Sequence, residues 1–207
     1  DLNPLERYQN ISQLEKEIDE LLVRIDHKGI SHSVLWELGK RAWQQIPSGD
    51  QEYIPQEISV EGQENSSLKE FGGQLEEKRK ILLRGTGGMG KTRLMKELAR
   101  ESMGRYDPKK PVYFYISLRG YQNWDREGRY IQEQIMKNLA FHSETDSLED
   151  MFHQLELLFQ QREGGKATIV LLLDGLNEAG ENRKKLFEEI EELGKQKGVS
   201  VFLTDRT

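Results

Sequence analysis

The chain has 207 residues, 35% of them hydrophobic and 32% charged, with a formal net charge of −6. That is enough apolar content for one core of ordinary domain size, and the acidic balance argues against a nucleic-acid-binding surface. The absence of cysteine removes disulfides, thiolate metal sites and cysteine nucleophiles and fits a reducing, cytoplasmic setting, and no apolar run approaches membrane-spanning length.

Residues 1–49 read as a helical N-terminal segment or linker. Leu5, Ile11, Leu14, Ile18, Leu21, Leu22 and Ile25 recur at helical spacing and end near Gly29, where glycine can cap a helix. A second helix is predicted over Val34 to Gln45, with Val34, Leu35, Leu38 and Ala42 on one face. These helices are expected to pack on the domain that follows; the other reading pairs them with a further domain or a partner chain. Tyr53 to Val60 reads as an edge strand, where Pro55 is tolerable, and residues 61–67 read as a polar loop. Leu68, Phe71 and Leu75 predict a short helix, weakened by Gly72-Gly73.

From there strand and helix patterns alternate. Strands are predicted at Ile81 to Arg84, Pro111 to Leu118, Ala167 to Leu173 and Val199 to Leu203. Helices are predicted at Lys91 to Met103, Ile131 to Phe141, Leu148 to Arg162 and Arg183 to Lys197. Such alternation implies a parallel sheet with helices on both sides, a three-layer α/β/α domain over residues 50–207. Ligands in such sheets bind at the carboxyl ends of the strands.

The first strand runs into Gly85-Thr86-Gly87-Gly88-Met89-Gly90-Lys91-Thr92, which fits the phosphate-binding pattern G-x-x-x-x-G-K-[ST]. Average composition produces this pattern by chance in about 1% of chains of this length. Glycines let successive N–H groups turn inward on a phosphate chain, and the helix that follows adds the positive end of its dipole. Residues Gly85 to Thr92, with Arg93 opening the helix, are therefore the predicted nucleotide cradle. Lys91 is placed to reach the β- and γ-phosphates and the Thr92 hydroxyl to ligate Mg²⁺.

A second element lies in Leu171-Leu172-Leu173-Asp174-Gly175-Leu176-Asn177-Glu178. A buried strand delivers Asp174 to its carboxyl end, the place of the aspartate that holds the nucleotide's Mg²⁺. Glu178, four residues on, is the predicted orienter of the attacking water; Asn177 can hydrogen-bond but cannot act as a base. A third strand ends on Thr204, Asp205 and Arg206, and the forked donors of Arg206 suit the γ-phosphate. The four histidines show no metal-ligand spacing. The runs Glu76 to Lys80 and Glu188 to Glu192 read as solvated faces, and Tyr113 and Tyr115 as strand residues alternating with Phe114.

On these residues the chain resembles the NACHT-type NTPases of the STAND class of P-loop proteins, which includes NOD-like receptors and their bacterial relatives; a bacterial source is expected. Gly85 to Thr92 looks like the family's phosphate loop. Asp174-Gly175-Leu176-Asn177-Glu178 is similar to its Asp-Gly-x-acidic-acidic pattern, and Thr204-Asp205-Arg206 to its Thr-x-Arg sensor strand. Tyr53-Ile54-Pro55 resembles the Tyr-x-Pro segment ahead of the loop. Asn177 departs from the pattern and leaves Glu178 as the one obvious base.

The resemblance implies an ATP/ADP switch with slow Mg-dependent hydrolysis. It also implies oligomerisation on activation, fused effector and sensor domains outside residues 1–207, and a role in immune or anti-phage signalling. Neither a membrane nor a nucleic acid is expected as partner. The chain starts at Asp1 and stops just after a strand-like run, and reads as an excised part of a longer protein. A P-loop kinase, an AAA-type mechanical ATPase and a non-catalytic nucleotide module are the alternatives. The kinase reading puts the Ala167 strand directly beside the Ile81 strand. The switch reading puts the Val199 strand between them.

Overall fold

A computed structural model of the chain describes residues 31–44, 68–102, 104, 106–124, 128–137, 148–163 and 165–206. In chain order the helices are α1 (His32–Gln44), α2 (Leu68–Glu77), α3 (Lys91–Ser102), α4 (Tyr130–Met136), α5 (Leu148–Gln160) and α6 (Arg183–Leu193). The strands are β1 (Lys80–Arg84), β2 (Val112–Ser117), β3 (Arg162–Glu163), β4 (Lys166–Ala167), β5 (Ile169–Asp174) and β6 (Val199–Asp205).

Four of these strands form one parallel sheet in the order β1-β6-β5-β2. The Val199 strand therefore lies between the Ile81 and Ala167 strands. The apolar runs explain why β5 and β6 are central. Successive strand residues point to opposite faces, and Val199 to Asp205 are all buried, as are Ile169 to Leu173. Both faces are thus covered, as a parallel sheet with helical crossovers requires. The register sets Leu171 beside Val201 on one side and Phe114 on the other. Each fully buried leucine contributes on the order of 1.5–3 kcal/mol. Because all four strands run the same way, Arg84, Asp205, Asp174 and Ser117 end at one edge of the sheet.

The helices follow from their apolar faces. In α3, Leu94, Met95, Leu98 and Ala99 are buried against β2 and β5. In α6, Leu186, Ile190 and Leu193 are buried, and the helix lies on β6. Helix α2 continues through Gly72-Gly73, with Leu75 buried. Helix α1 packs on β2 through Leu35 and Leu38; His32 Nε2 donates to the Lys110 carbonyl at 2.9 Å and Trp36 meets Tyr106 edge-on at 5.5 Å. The predicted helix over Leu5 to Ile25, the edge strand at Tyr53 to Val60 and the loop at 61–67 lie outside the described residues. No helix among the described residues is long and apolar enough to cross a membrane.

Helix α6 ends at Leu193 rather than Lys197, and three further features depart from the sequence expectation. Arg162–Glu163 and Lys166–Ala167 pair as a short antiparallel hairpin. A 3₁₀ turn at Leu118–Asn123 follows β2. The third is Glu189, which is not on a solvated face. Helix α4 has Arg129 at its N-cap and no side-chain cap of its own. Glu189 of α6 supplies one across the interface, its Oε1 accepting the Ile131 N–H at 2.7 Å. This residue of the charge run is thereby drawn half inside.

Burial pushes the Glu189 carboxyl above its ordinary range, the Ile131 and Tyr130 N–H groups pull it back, and Glu133 pushes it up again. A raised folded-state value means that the folded protein binds this proton more tightly than the unfolded chain. The associated stability is complete below the unfolded value of about 4.3 and is lost as pH rises through the folded one. Urea denaturation of the native protein and Glu189→Gln across mildly acidic pH checks this. The stability of the native protein relative to the variant should fall with rising pH over that window and be flat above it.

Candidate functional site

The β1–α3 connection builds the first part of the site. Gly88 and Gly90 sit at φ 82° and 78°, left-handed values that side chains with a Cβ rarely adopt. They bend the loop back on itself. The first helical bond of α3 runs from the Leu94 N–H to the Gly90 carbonyl at 2.8 Å. The helix therefore opens with N–H groups that precede that bond, the usual anion site of a helix start. The Lys91 ammonium folds over the loop and donates to the carbonyls of Gly85 at 2.6 Å and Thr86 at 2.9 Å. This holds its charge within the curve of the loop. The Arg93 side chain turns along α3 to the buried Glu97 at 3.1 Å, and Arg100 meets the same carboxylate at 2.6 Å. Met89 stands 58% exposed at the tip of the loop.

The end of β5 supplies the second part. Asp174 is half-buried and collects three hydroxyl donors. Thr92 Oγ1 donates to Oδ2 at 2.7 Å, Tyr115 Oη to the same oxygen at 3.0 Å, and Thr204 Oγ1 to Oδ1 at 2.7 Å. The donors come from α3, β2 and β6, so one carboxylate joins three elements. Gly175 follows at φ 83°. That conformation turns the chain sharply and lets the Gly175 N–H donate to Thr204 Oγ1 at 2.8 Å. Glu178 sits in the 3₁₀ turn Leu176–Glu178 with its carboxyl folded back toward Gly175; a Cβ placed on Gly175 would lie 3.3 Å from Glu178 Cδ. Gln122 Nε2 pins this turn by donating to the Glu178 carbonyl at 2.6 Å.

The end of β6 supplies the third part. Arg206 is exposed, and its guanidinium lies against the phosphate loop; a Cβ on Gly87 would be 3.7 Å from Arg206 Cζ. Thr204 and Asp205 are buried, at 1% and 3% exposure. They face opposite sides of the sheet, Thr204 toward Asp174 and Asp205 toward Arg183 at the start of α6.

Gly85 to Lys91, Thr92, Asp174 and Arg206 are thus gathered at one edge of the sheet, with Glu178 on the turn beside Asp174. Sequence reading gave Tyr115 and Gln122 no part in it. Tyr115 does alternate with Phe114, but the register Tyr115–Leu172 puts it on the same sheet face as Asp174, two residues short, a gap its ring spans. Burial first, then the neighbouring Asp174 and Glu178 charges, push its phenol well above the ordinary value, so it stays a hydrogen-bond donor. Two hard oxygens, Thr92 Oγ1 and Asp174 Oδ2, are of the kind Mg²⁺ takes. No cluster of three or more His, Asp or Glu fit to hold a metal is found among the described residues.

A glycine loop between a strand and a helix, an aspartate ending a non-adjacent strand, and an intervening strand ending in Thr-x-Arg define a P-loop NTPase. Residues 79–207 match the NACHT domain family, and the chain belongs to it. No curated protein matches the chain. Among solved structures it is similar to that of C. elegans PCH-2, with 19% sequence identity and a TM-score of 0.34, over 85% of this chain and 36% of that one. The chain thus spans about a third of the length of that protein.

Tyr115→Phe removes one of three donors to a charged acceptor without changing the packing. A hydrogen bond to a charged group contributes about 1.5–3 kcal/mol. Denaturant titration without nucleotide should show a loss near the lower end of that range, since Thr92 and Thr204 continue to satisfy Asp174. An unchanged midpoint would mean that the tyrosine contact adds nothing.

Proposed function

We propose that the chain is the nucleotide-binding module of an ATP/ADP switch in a signal-transducing protein, with slow Mg-dependent ATP hydrolysis. The observation that carries this reading is the hydroxyl-bridged Asp174. It links the phosphate-loop threonine to the sensor strand, so that a change at the loop is felt at β6. The intervening position of β6 speaks against the kinase reading, and the family match favours the NACHT type over the AAA-type machine.

In this reading the loop N–H groups and Lys91 hold the phosphates, with Gly85 to Arg93 as the cradle. Thr92 and Asp174 would hold Mg²⁺, which supplies charge neutralisation at the β- and γ-phosphate oxygens. Glu178 orients the attacking water and Arg206 reads the γ-phosphate. With a single carboxylate after Asp-Gly-Leu, water activation rests on Glu178 alone, which is consistent with a slow enzyme. The family resemblance supports adenine as the base. It also supports oligomerisation on activation, effector and sensor domains outside residues 1–207, a cytoplasmic location, and a role in innate immunity or antiviral defence.

Two variants test this. A site-specific ligand stabilises a fold by about 2.7 kcal/mol at a hundred times its Kd. Lys91→Ala should abolish the thermal shift produced by ATP with Mg²⁺; an unaltered shift would show that the loop is not the site. Glu178→Gln should keep the shift while lowering hydrolysis in excess Mg·ATP by about a hundredfold or more. Equal rates at background level would remove the catalytic role of Glu178.

A further inference from the structure

The carboxylate of Asp205 is buried in the sheet, with its side chain 5% exposed, yet no step of the proposed function uses it. Its two oxygens do different things. Oδ1 accepts the main-chain N–H of the next residue, Arg206, at 2.9 Å. Oδ2 accepts from Nη2 of Arg183, the first residue of α6. Arg183 follows directly on the 3₁₀ turn Gly180–Asn182, which comes after the turn that carries Glu178. The buried carboxylate therefore joins the backbone of the sensor arginine to the helix that continues from the Asp174–Glu178 segment. On the other face of β6, Thr204 makes the companion tie to Asp174 and Gly175. Consecutive residues of one strand thus fasten both faces of its tip to the segment after β5.

Arg206 is the residue that most needs such fastening. It follows the last strand residue, is exposed, and projects its guanidinium toward Gly87 of the phosphate loop. A flexible arginine loses side-chain and backbone freedom each time it grips a ligand, and a fixed backbone reduces that cost. A carboxylate suits the task because it can accept from a main-chain donor and a guanidinium at once, and bonds to a charged group are the strong ones.

We propose that Asp205 and Arg183 are positioning residues for γ-phosphate discrimination. In this assignment the Arg183–Asp205 pair sets the backbone of Arg206, and through it the preference of the site for a nucleoside triphosphate over a diphosphate. This rests on the reading of Arg206 as the γ-phosphate contact. The pair bonds to each other and to the Arg206 backbone, so in this assignment affinity for the diphosphate is independent of it.

The test is calorimetric titration of the 207-residue chain with Mg·ADP and with a non-hydrolysable ATP analogue. The native protein is compared with Asp205→Asn, Arg183→Gln, Arg183→Lys, Arg206→Ala and Lys91→Ala. Asp205→Asn keeps the size of the side chain and the acceptor for the Arg206 N–H but loses the charge that holds Arg183. The expected result is a fall of about tenfold in the ratio of ATP-analogue to ADP affinity for Asp205→Asn and Arg183→Gln, toward the value of Arg206→Ala. ADP affinity should stay within about twofold, and Arg183→Lys should recover part of the ratio. General destabilisation does not alter such a ratio. Should Asp205→Asn fail to fold, Arg183→Gln decides, because Arg183 is 48% exposed. The assignment is overturned if Arg206→Ala lowers the ratio and Arg183→Gln does not. If Arg206→Ala leaves the ratio unchanged, the γ-phosphate reading of Arg206 is wrong and this proposal goes with it. Undiminished binding by Lys91→Ala would instead discard the loop as the nucleotide site.

Discussion

Asp174 has to be held at the end of a strand whose other residues are apolar, and it is held by three hydroxyls. Thr92, Tyr115 and Thr204 reach it from α3, β2 and β6. A half-buried carboxylate without donors would be costly, and each donor bonded to it also loses its own freedom to move. The arrangement therefore stabilises the fold and orders the site together. The hydroxyls are neutral, so they satisfy the carboxylate oxygens without adding a counter-charge.

The sheet makes this convergence possible. Buried on both faces, β5 and β6 are apolar along their length apart from Ser200, and carry their other polar residues, Asp174, Thr204 and Asp205, at their carboxyl ends. In a parallel sheet those ends coincide, so polar residues gather at one edge. The order β1-β6-β5-β2 then sets the geometry: β6 separates the loop from Asp174 and brings its own tip, Thr204 to Arg206, between them. The side-chain alternation of β6 sends Thr204 and Asp205 to opposite faces, where they engage Asp174 and Arg183 respectively. A strand tip fastened on both faces leaves Arg206 against the loop.

Much of this was legible in the sequence, for identifiable reasons. Runs such as Ile169 to Leu173 have no interpretation other than buried structure, and the glycine loop has a spacing that chemistry constrains. Asp174 and Arg206 could be picked out because each ends an apolar run. What escaped had no periodic or spacing signal. Tyr115 reads as an ordinary strand aromatic until the β2–β5 register shows which residue it faces. Gln122 lies in a 3₁₀ turn whose residues carry no pattern. Glu189 is one acid in a run of acids, and only the uncapped start of α4 distinguishes it. The short β3–β4 hairpin is two residues on each side, below the length at which alternation can be read. Helix α6 stops at Leu193 rather than Lys197, because the turn from Gly194 to Gly198 is needed to bring the chain back to β6. A Cβ on Gly198 would run into the carbonyls of Leu158, Phe159 and Gln161.

The central claim is that Asp174 is the point through which a nucleotide and its cation engage both the loop and the sensor strand. Calorimetric titration of ATP with and without Mg²⁺, on the native chain and on Asp174→Asn, tests it most directly. The account predicts that Mg²⁺ tightens ATP binding by about tenfold or more in the native protein and has little effect in the variant, whose amide keeps the size but not the charge. An equal Mg²⁺ effect in both proteins would contradict it.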